Sequence, residues 1–201
     1  YLPLIVFMLY FSASKLSFTV LQTAVIFIAG MLFWSLFEYT VHRFVFHFFA
    51  ESDRAKKIVY VIHGNHHEYP RDKERLFMPA VPSLLLAIIV FSIQYLAAGL
   101  FGVSVYVFAF FPGFLMGYLI YGSMHYAIHA WNPPFKWMKP LWRNHHLHHY
   151  KNVELGFGVS STLWDHIFGT MFDLNKEKED KEKVKELMFG NAAAEKQLQS
   201  R

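Results

Sequence analysis

LSFTVLQTAVIFIAGMLFWSLFEYTVHRFVFH, residues 16–47, is the stretch on which the architecture turns. Its first 22 residues carry no charge, and at about 1.5 Å per residue they can cross a hydrocarbon core of roughly 30 Å. No breaker separates this span from Glu38, His42, Arg43 and His47, so the helix is expected to leave the bilayer with polar groups on its end. Upstream, residues 2–11 are apolar but too short to span alone, and read as the remainder of an earlier transmembrane helix. The chain opens at Tyr1 without a methionine, so its natural N-terminus and any targeting segment are expected to be missing. Downstream, residues 51–57 (ESDRAKK) form a solvated turn. Pro79 and Pro82 then introduce a second apolar span, 83–100, with Gln94 its only strongly polar residue. An uncharged turn leads into a third span, 105–122, where Pro112 and Gly113 are tolerated as a kink if neighbouring helices satisfy the freed carbonyl.

The second and third spans form a hairpin, so the helix ends before His42 and before His125 emerge on one face of the membrane. That face carries all twelve histidines. Lys15 is the only one of the 19 Lys and Arg residues on the opposite face, which by the positive-inside rule makes the histidine face cytoplasmic. Composition agrees with a membrane protein: 54% of residues are apolar and 19% aromatic, high for a soluble domain. The absence of cysteine excludes disulfides, iron–sulfur clusters and thiolate metal sites. A net charge of +4, with basic residues interrupted by apolar runs, excludes a nucleic-acid stripe. The expected organisation is a membrane-embedded domain over residues 1–172 and a Lys/Glu-rich tail, partly helical or disordered, over 173–201.

Ten histidines fall in four tight clusters: His42 and His47 in HRFVFH, His63, His66 and His67 in HGNHH, His125 and His129 in HYAIH, and His145, His148 and His149 in HHLHH. Spacings of three and four share a helix face, so the last three clusters can each present imidazoles together. His42 and His47 are five apart, about 140° around an ideal helix, so they serve different metals or need a local bend. Imidazole is the commonest metal ligand, and such an array beside apolar segments is costly unless something uses it. Ten ligands are too many for one ion and suit two. Iron, zinc, copper and nickel all accept imidazole. Breaking an unactivated C–H bond needs a redox metal that binds O2, which favours two irons, with zinc possible as isolated and a structural or hydrolytic zinc site the bland alternative.

Together EYTVHRFVFH, HGNHHEYPRDKERLFMPAVPS, YGSMHYAIH and RNHHLHHYKNVELGFGVSSTLWDHIFGT, spread over residues 34–172, resemble the fatty acid hydroxylase and sterol desaturase superfamily, closest to its fatty acid 2-hydroxylase branch. The resemblance implies an all-α integral-membrane domain of about four transmembrane helices under a cytosolic helical cap, holding a dimetal centre. It implies O2 as co-substrate and hydroxylation of a free or sphingolipid-bound acyl chain at C2. It also implies a separate electron-donor protein of haem or iron–sulfur type, since this sequence lacks the haem-binding domain of eukaryotic members, unless the missing N-terminus held it. Its ligand pattern falls on His42, His47, His63, His66, His67, His125, His129, His145, His148 and His149. His146 is an extra imidazole, read as a surface residue or substitute ligand, and His166 is read as a helix-packing residue.

Around these, Glu38 can accept the His42 ring N–H or pair with Arg43, and Asp165 is a similar support or a helix cap. Arg71, Lys73 and Arg75 are interfacial anchors or a dock for a headgroup or acidic redox partner. Gly156 and Gly158 are turn residues. No side chain stands out as a general base. Rivals in the superfamily are carotenoid or sterol hydroxylases and desaturases. A histidine-rich membrane metal carrier is disfavoured, because its crossing helices should carry polar groups and here Gln94 is nearly alone.

Overall fold

The computed structural model describes residues 1–72, 74, 76–173, 175, 176 and 178. Lys73, Arg75 and most of the charged tail lie outside them, and with them part of the anchor expectation and the tail's conformation. The described chain is helical, with no strand among the described residues. It divides into a unit of Tyr1–Thr170, which holds every element below, and a second unit of Met171–Arg201.

Helix α1, Leu2–Ser14, begins with a proline in its first turn and carries no charge. It ends in a tight turn in which Ser17 has φ 55°. Thr19 and Gln22 then close a reciprocal capping box, Gln22 N–H donating to the Thr19 hydroxyl and Thr19 N–H to the Gln22 amide oxygen, which satisfies donors the first helical turn leaves orphaned. The long helix α2 therefore starts at Val20, not at residue 16, and runs to Val41. After α3 (Asp53–Val59) and α4 (Asn65–Glu68) comes the hairpin of α5, Ala80–Gly99, and α6, Val107–Ala130. The third span is thus longer than its apolar run and carries His125 and His129 on its last turns. Helices α7 (Lys139–Tyr150) and α8 (Leu163–Ile167) complete the unit.

Three helical stretches are long and apolar enough to cross a membrane, Val20–Phe46, Ala80–Gly99 and Ser104–Ala130, with α1 a shorter apolar helix. Half of the third stretch's apolar window is buried against 6% in each of the others, so α6 is the central post. Helix α2 packs on it at glycines from both sides. A Cβ on Gly30 would strike the backbone of Phe110, and one on Gly113 would strike the backbone of Phe27. Close backbone approach through small residues is how membrane helices associate where no hydrophobic force separates lipid from protein. Phe111, Phe114 and Leu115 of α6 form the adjoining core with Ile5 and Met8 of α1. The outward faces of α2 and α5 are lined with exposed Val25, Ile28, Leu32, Ile88, Ile93 and Leu96. This packing sets the ends of α2 and α6, both rich in histidine, beside each other.

Candidate metal centre

Helix α2 does not stop at Val41 but loosens into a π-helical turn, His42–Phe46, closed by the His47 N–H donating to the His42 carbonyl at 3.2 Å. An i→i+5 turn brings the residue five positions on back over the first. The bend required by the HRFVFH spacing is this turn, and His42 and His47 reach the same site with ring centroids 5.1 Å apart. A second π-helical turn, Tyr60–Gly64, sits under the HGNHH segment.

Ten histidines converge in two groups of five, each with its candidate ligand nitrogens within 4.8 Å of one another. The first holds His42, His47, His63, His67 and His148, the second His66, His125, His129, His145 and His149. The sequence clusters are not kept whole. On α4 and its π turn His63 and His67 face one group while His66 faces the other, and on α7 His145 and His149 part from His148. The pairs four apart stay in one group, whereas His66 and His148, three from His63 and His145, go to the other, although both spacings share a helix face. The groups meet where the His67 and His149 rings stack at 4.1 Å. His146 is half-buried and outside both groups. His166 is exposed, so it is neither in a group nor the packing residue expected.

A metal ion fits this donor set. The Nε2 atoms of His42 and His63 lie 3.0 Å apart, those of His148 and His47 3.0 Å, and those of His129 and His145 2.9 Å. Two ligands each about 2.1 Å from one ion, at right angles, would be about 3 Å apart. His42 and His148 point Nδ1 at the carbonyl oxygens of Phe157 and Leu155. A carbonyl only accepts, so each Nδ1 carries the proton and each Nε2 offers a bare lone pair to the interior. His125 is buried among the second group.

Electrostatics favour the ligand form. Burial holds His47 down to about 4, and burial together with neighbouring imidazoles holds His66, His67 and His148 down to about 3. His63, His145 and His149 are held well below the ordinary range for the same reasons, burial first. These rings are neutral at neutral pH, as a metal ligand must be.

The loop over residues 155–160 carries the two supporting carbonyls and is itself clamped. Asp165 accepts from Phe157 N–H at 2.9 Å, Gly158 N–H at 2.8 Å and the Thr170 hydroxyl at 2.8 Å. Glu38 accepts from Val159 N–H at 2.8 Å, Ser160 N–H at 2.9 Å and the Ser160 hydroxyl. Both carboxylates are buried. Glu38 thus accepts from neither His42 nor Arg43, and Asp165 binds no histidine; both act one step further out, through the loop. Gly156 holds φ 73° there, and a Cβ on Gly158 would come within 2.7 Å of the Asp165 carboxylate. Phe157, which sequence reading passed over, packs its ring on His42, His47 and His148 at 5.6 to 5.8 Å. Only its place between those two glycines could have marked it.

The sequence profile of the fatty acid hydroxylase family matches residues 27–170. The chain belongs to the fatty acid hydroxylase family. Within the family it is 36% identical over 171 residues to a dihydroceramide fatty acyl 2-hydroxylase of Arabidopsis thaliana, covering 85% of this chain and 70% of that one. It is 40% identical over 149 residues to the ceramide very long chain fatty acid hydroxylase of Saccharomyces cerevisiae, covering 72% of this chain and 37% of the relative. With the fatty acid 2-hydroxylase of Homo sapiens it shares 37% over 150 residues, 73% of this chain and 39% of the relative. The chain thus spans well under half the length of the yeast and human relatives. A solved structure of full-length Scs7p, with only its hydroxylase domain visible, superposes with a TM-score of 0.76 at 35% identity, over 86% of this chain and 64% of that one. Its long apolar helices and its family make the chain a membrane protein with a histidine-rich site suited to metal.

Proposed function

We propose that this protein hydroxylates the C2 position of a fatty acyl chain, free or sphingolipid-bound, using O2 at a dinuclear metal centre. The observation that carries the reading is the sorting of ten imidazoles into two adjoining groups of five, in a chain whose relatives bear fatty acyl hydroxylase names.

His42, His47, His63, His67 and His148 hold one ion and His66, His125, His129, His145 and His149 the other. Iron is the working metal, since activating O2 against a C–H bond needs a redox ion, and zinc can take the same nitrogens. Bound there, the pair supplies the redox chemistry that no side chain of this protein can. The chain's own part is placement: the 155–160 loop keeps the proton of His42 and of His148 on Nδ1. One atom of O2 enters the substrate as hydroxyl and the other leaves as water, with two electrons delivered from a separate haem or iron–sulfur donor protein and two protons taken from solvent. That donor approaches from the cytoplasm, where the excess of basic residues puts the histidine face. The membrane domain, with α1 as a fourth span, covers residues 1–172, and 173–201 is a tail.

The test incubates membranes containing the protein under oxygen-18 O2 with a reductant, then analyses released fatty acids by mass spectrometry. Label in a hydroxyl-bearing fragment that includes C2 is expected. Label drawn from water, or none in any lipid, would overturn the reading. Label on a sterol or carotenoid ring, with acyl chains untouched, would move the substrate to another branch of the superfamily.

A further inference from the structure

A cavity of about 770 Å³ opens beside the first histidine group, within the range of about 300–1,000 Å³ typical of small-molecule pockets. His47, His63 and His67 lie on its wall. No member of the second group lines it, so this chamber serves the first group. Most of the remaining lining is apolar, including Phe44, Phe46, Val59 and Phe157.

Lys56 and Glu154 also line the chamber, and Arg43 is the charged residue adjoining the first histidine group. It follows His42 in the π-helical turn. Its guanidinium lies 5.9, 5.1 and 5.8 Å from the ring centroids of Tyr39, Phe44 and Phe157, and one nitrogen donates to the Tyr39 hydroxyl at 2.8 Å. Tyr39 is in turn bonded to Thr170 at 3.0 Å, so the head group is oriented from behind. The expected partner, Glu38, is occupied by the 155–160 loop, and among the described residues no carboxylate is bonded to Arg43. A guanidinium carries five N–H donors in a fixed fork, and four of these five remain for a ligand in the cavity. Phe157 is shared, its ring touching Arg43 on the one hand and His42, His47 and His148 on the other.

We propose that Arg43 binds the C1 oxygen of the acyl substrate in this cavity, holding C2 against the first histidine group while the chain runs along the phenylalanine walls. This rests on the hydroxylase reading and deepens it. A planar donor fork suits carboxylate and carbonyl oxygens, and an oxygen held on C1 leaves C2 as the next carbon along. The apolar walls alone would grip any methylene equally. Arg43 therefore sets the position of attack, and the shared chemistry it recognises is an acyl oxygen, whether of a free acid or of an amide.

The test is binding without turnover, on the purified full chain in detergent loaded with zinc, by displacement of a fluorescent octadecanoic acid probe. The competitors are hexadecanoic acid, N-methylhexadecanamide and hexadecane. In the unaltered protein at least one of the two oxygen-bearing ligands should displace the probe about tenfold better than hexadecane, the effect of one charge-assisted hydrogen bond. A stronger acid points to free fatty acids as the source and a stronger amide to sphingolipids; either supports the proposal. Arg43→Met should bring all three competitors to similar potency, and Arg43→Lys should fall between. Hexadecane matching both oxygen-bearing ligands in the unaltered protein, a result that needs no variant to fold, overturns the proposal, as does a preference that survives in a folded, metal-loaded Arg43→Met. Failure of the hydroxylase reading shows separately, as missing oxygen-18 product from the unaltered protein.

Discussion

His42 and His148, brought together from the end of α2 and from α7, rest their Nδ1 atoms on carbonyls two residues apart in one loop, Phe157 and Leu155. Their rings stand 4.7 Å apart. A single short segment thereby sets the tautomer of two candidate ligands, and what holds that segment matters as much as the histidines.

Asp165 is the lower clamp on the loop. Asp165→Ala strands the N–H groups of Phe157 and Gly158 and the Thr170 hydroxyl, all now satisfied by one carboxylate. Unsatisfied buried donors cost about 1–3 kcal/mol each. The variant should unfold at lower temperature and retain less metal, lost first from the group containing His42 and His148. Thermal unfolding and metal content per chain measure both. Unchanged metal content would mean that the loop does not position the ligands.

The two groups should empty independently. His148→Ala removes a member of the first group and His66→Ala one of the second. Each should abolish hydroxylation and lower bound metal toward one ion per chain, whereas His146→Ala and His166→Ala should leave about two, as expected for residues outside either group. Anomalous scattering or elemental analysis gives the count. Equal losses in all four variants would refute the division.

Acid should strip the site. The rings of His66, His67 and His148 are held down to about 3 and that of His47 to about 4, against 6.5 for the exposed side chain. In the unfolded chain they take up protons from about pH 6.5 downward, in the folded chain only near 3 to 4. Their contribution to stability is therefore intact above about 6.5 and is lost as pH falls toward 4. Metal-free protein should lose thermal stability across that window, and loaded protein should release its ions there as protons compete for Nε2. Melting temperature and retained metal across a pH series test this. A flat profile between pH 7 and 4 would contradict the neutral, buried assignment.

The reading of residues 16–47 as a membrane helix with a polar end needed only length and composition, because a charge-free run of that size has few other solvents. The hairpin of α5 and α6 was legible for the same reason. The start of α2 was not: Leu16 and Phe18 are as apolar as the helix that follows, and only the capping box at Thr19 and Gln22 and the turn at Ser17 place the boundary.

For the site, the ten histidines that the fold gathers into two groups stood out by their clustering, since imidazoles at helical spacing beside apolar spans are costly unless something uses them. Their sorting could not. Whether His66 joins His63 or His129 depends on which way α4 faces once α2, α6 and α7 are packed, and spacing on one helix says nothing about the orientation of the next. The HRFVFH spacing left two outcomes open, different metals or a local bend, and only the π turn of the folded chain decides for the bend. Glu38 and Asp165 were visible as carboxylates near histidines, but most of their partners are backbone N–H groups of residues 157–160. A backbone N–H has no signature in sequence, so only tertiary structure decides which carboxylate it meets.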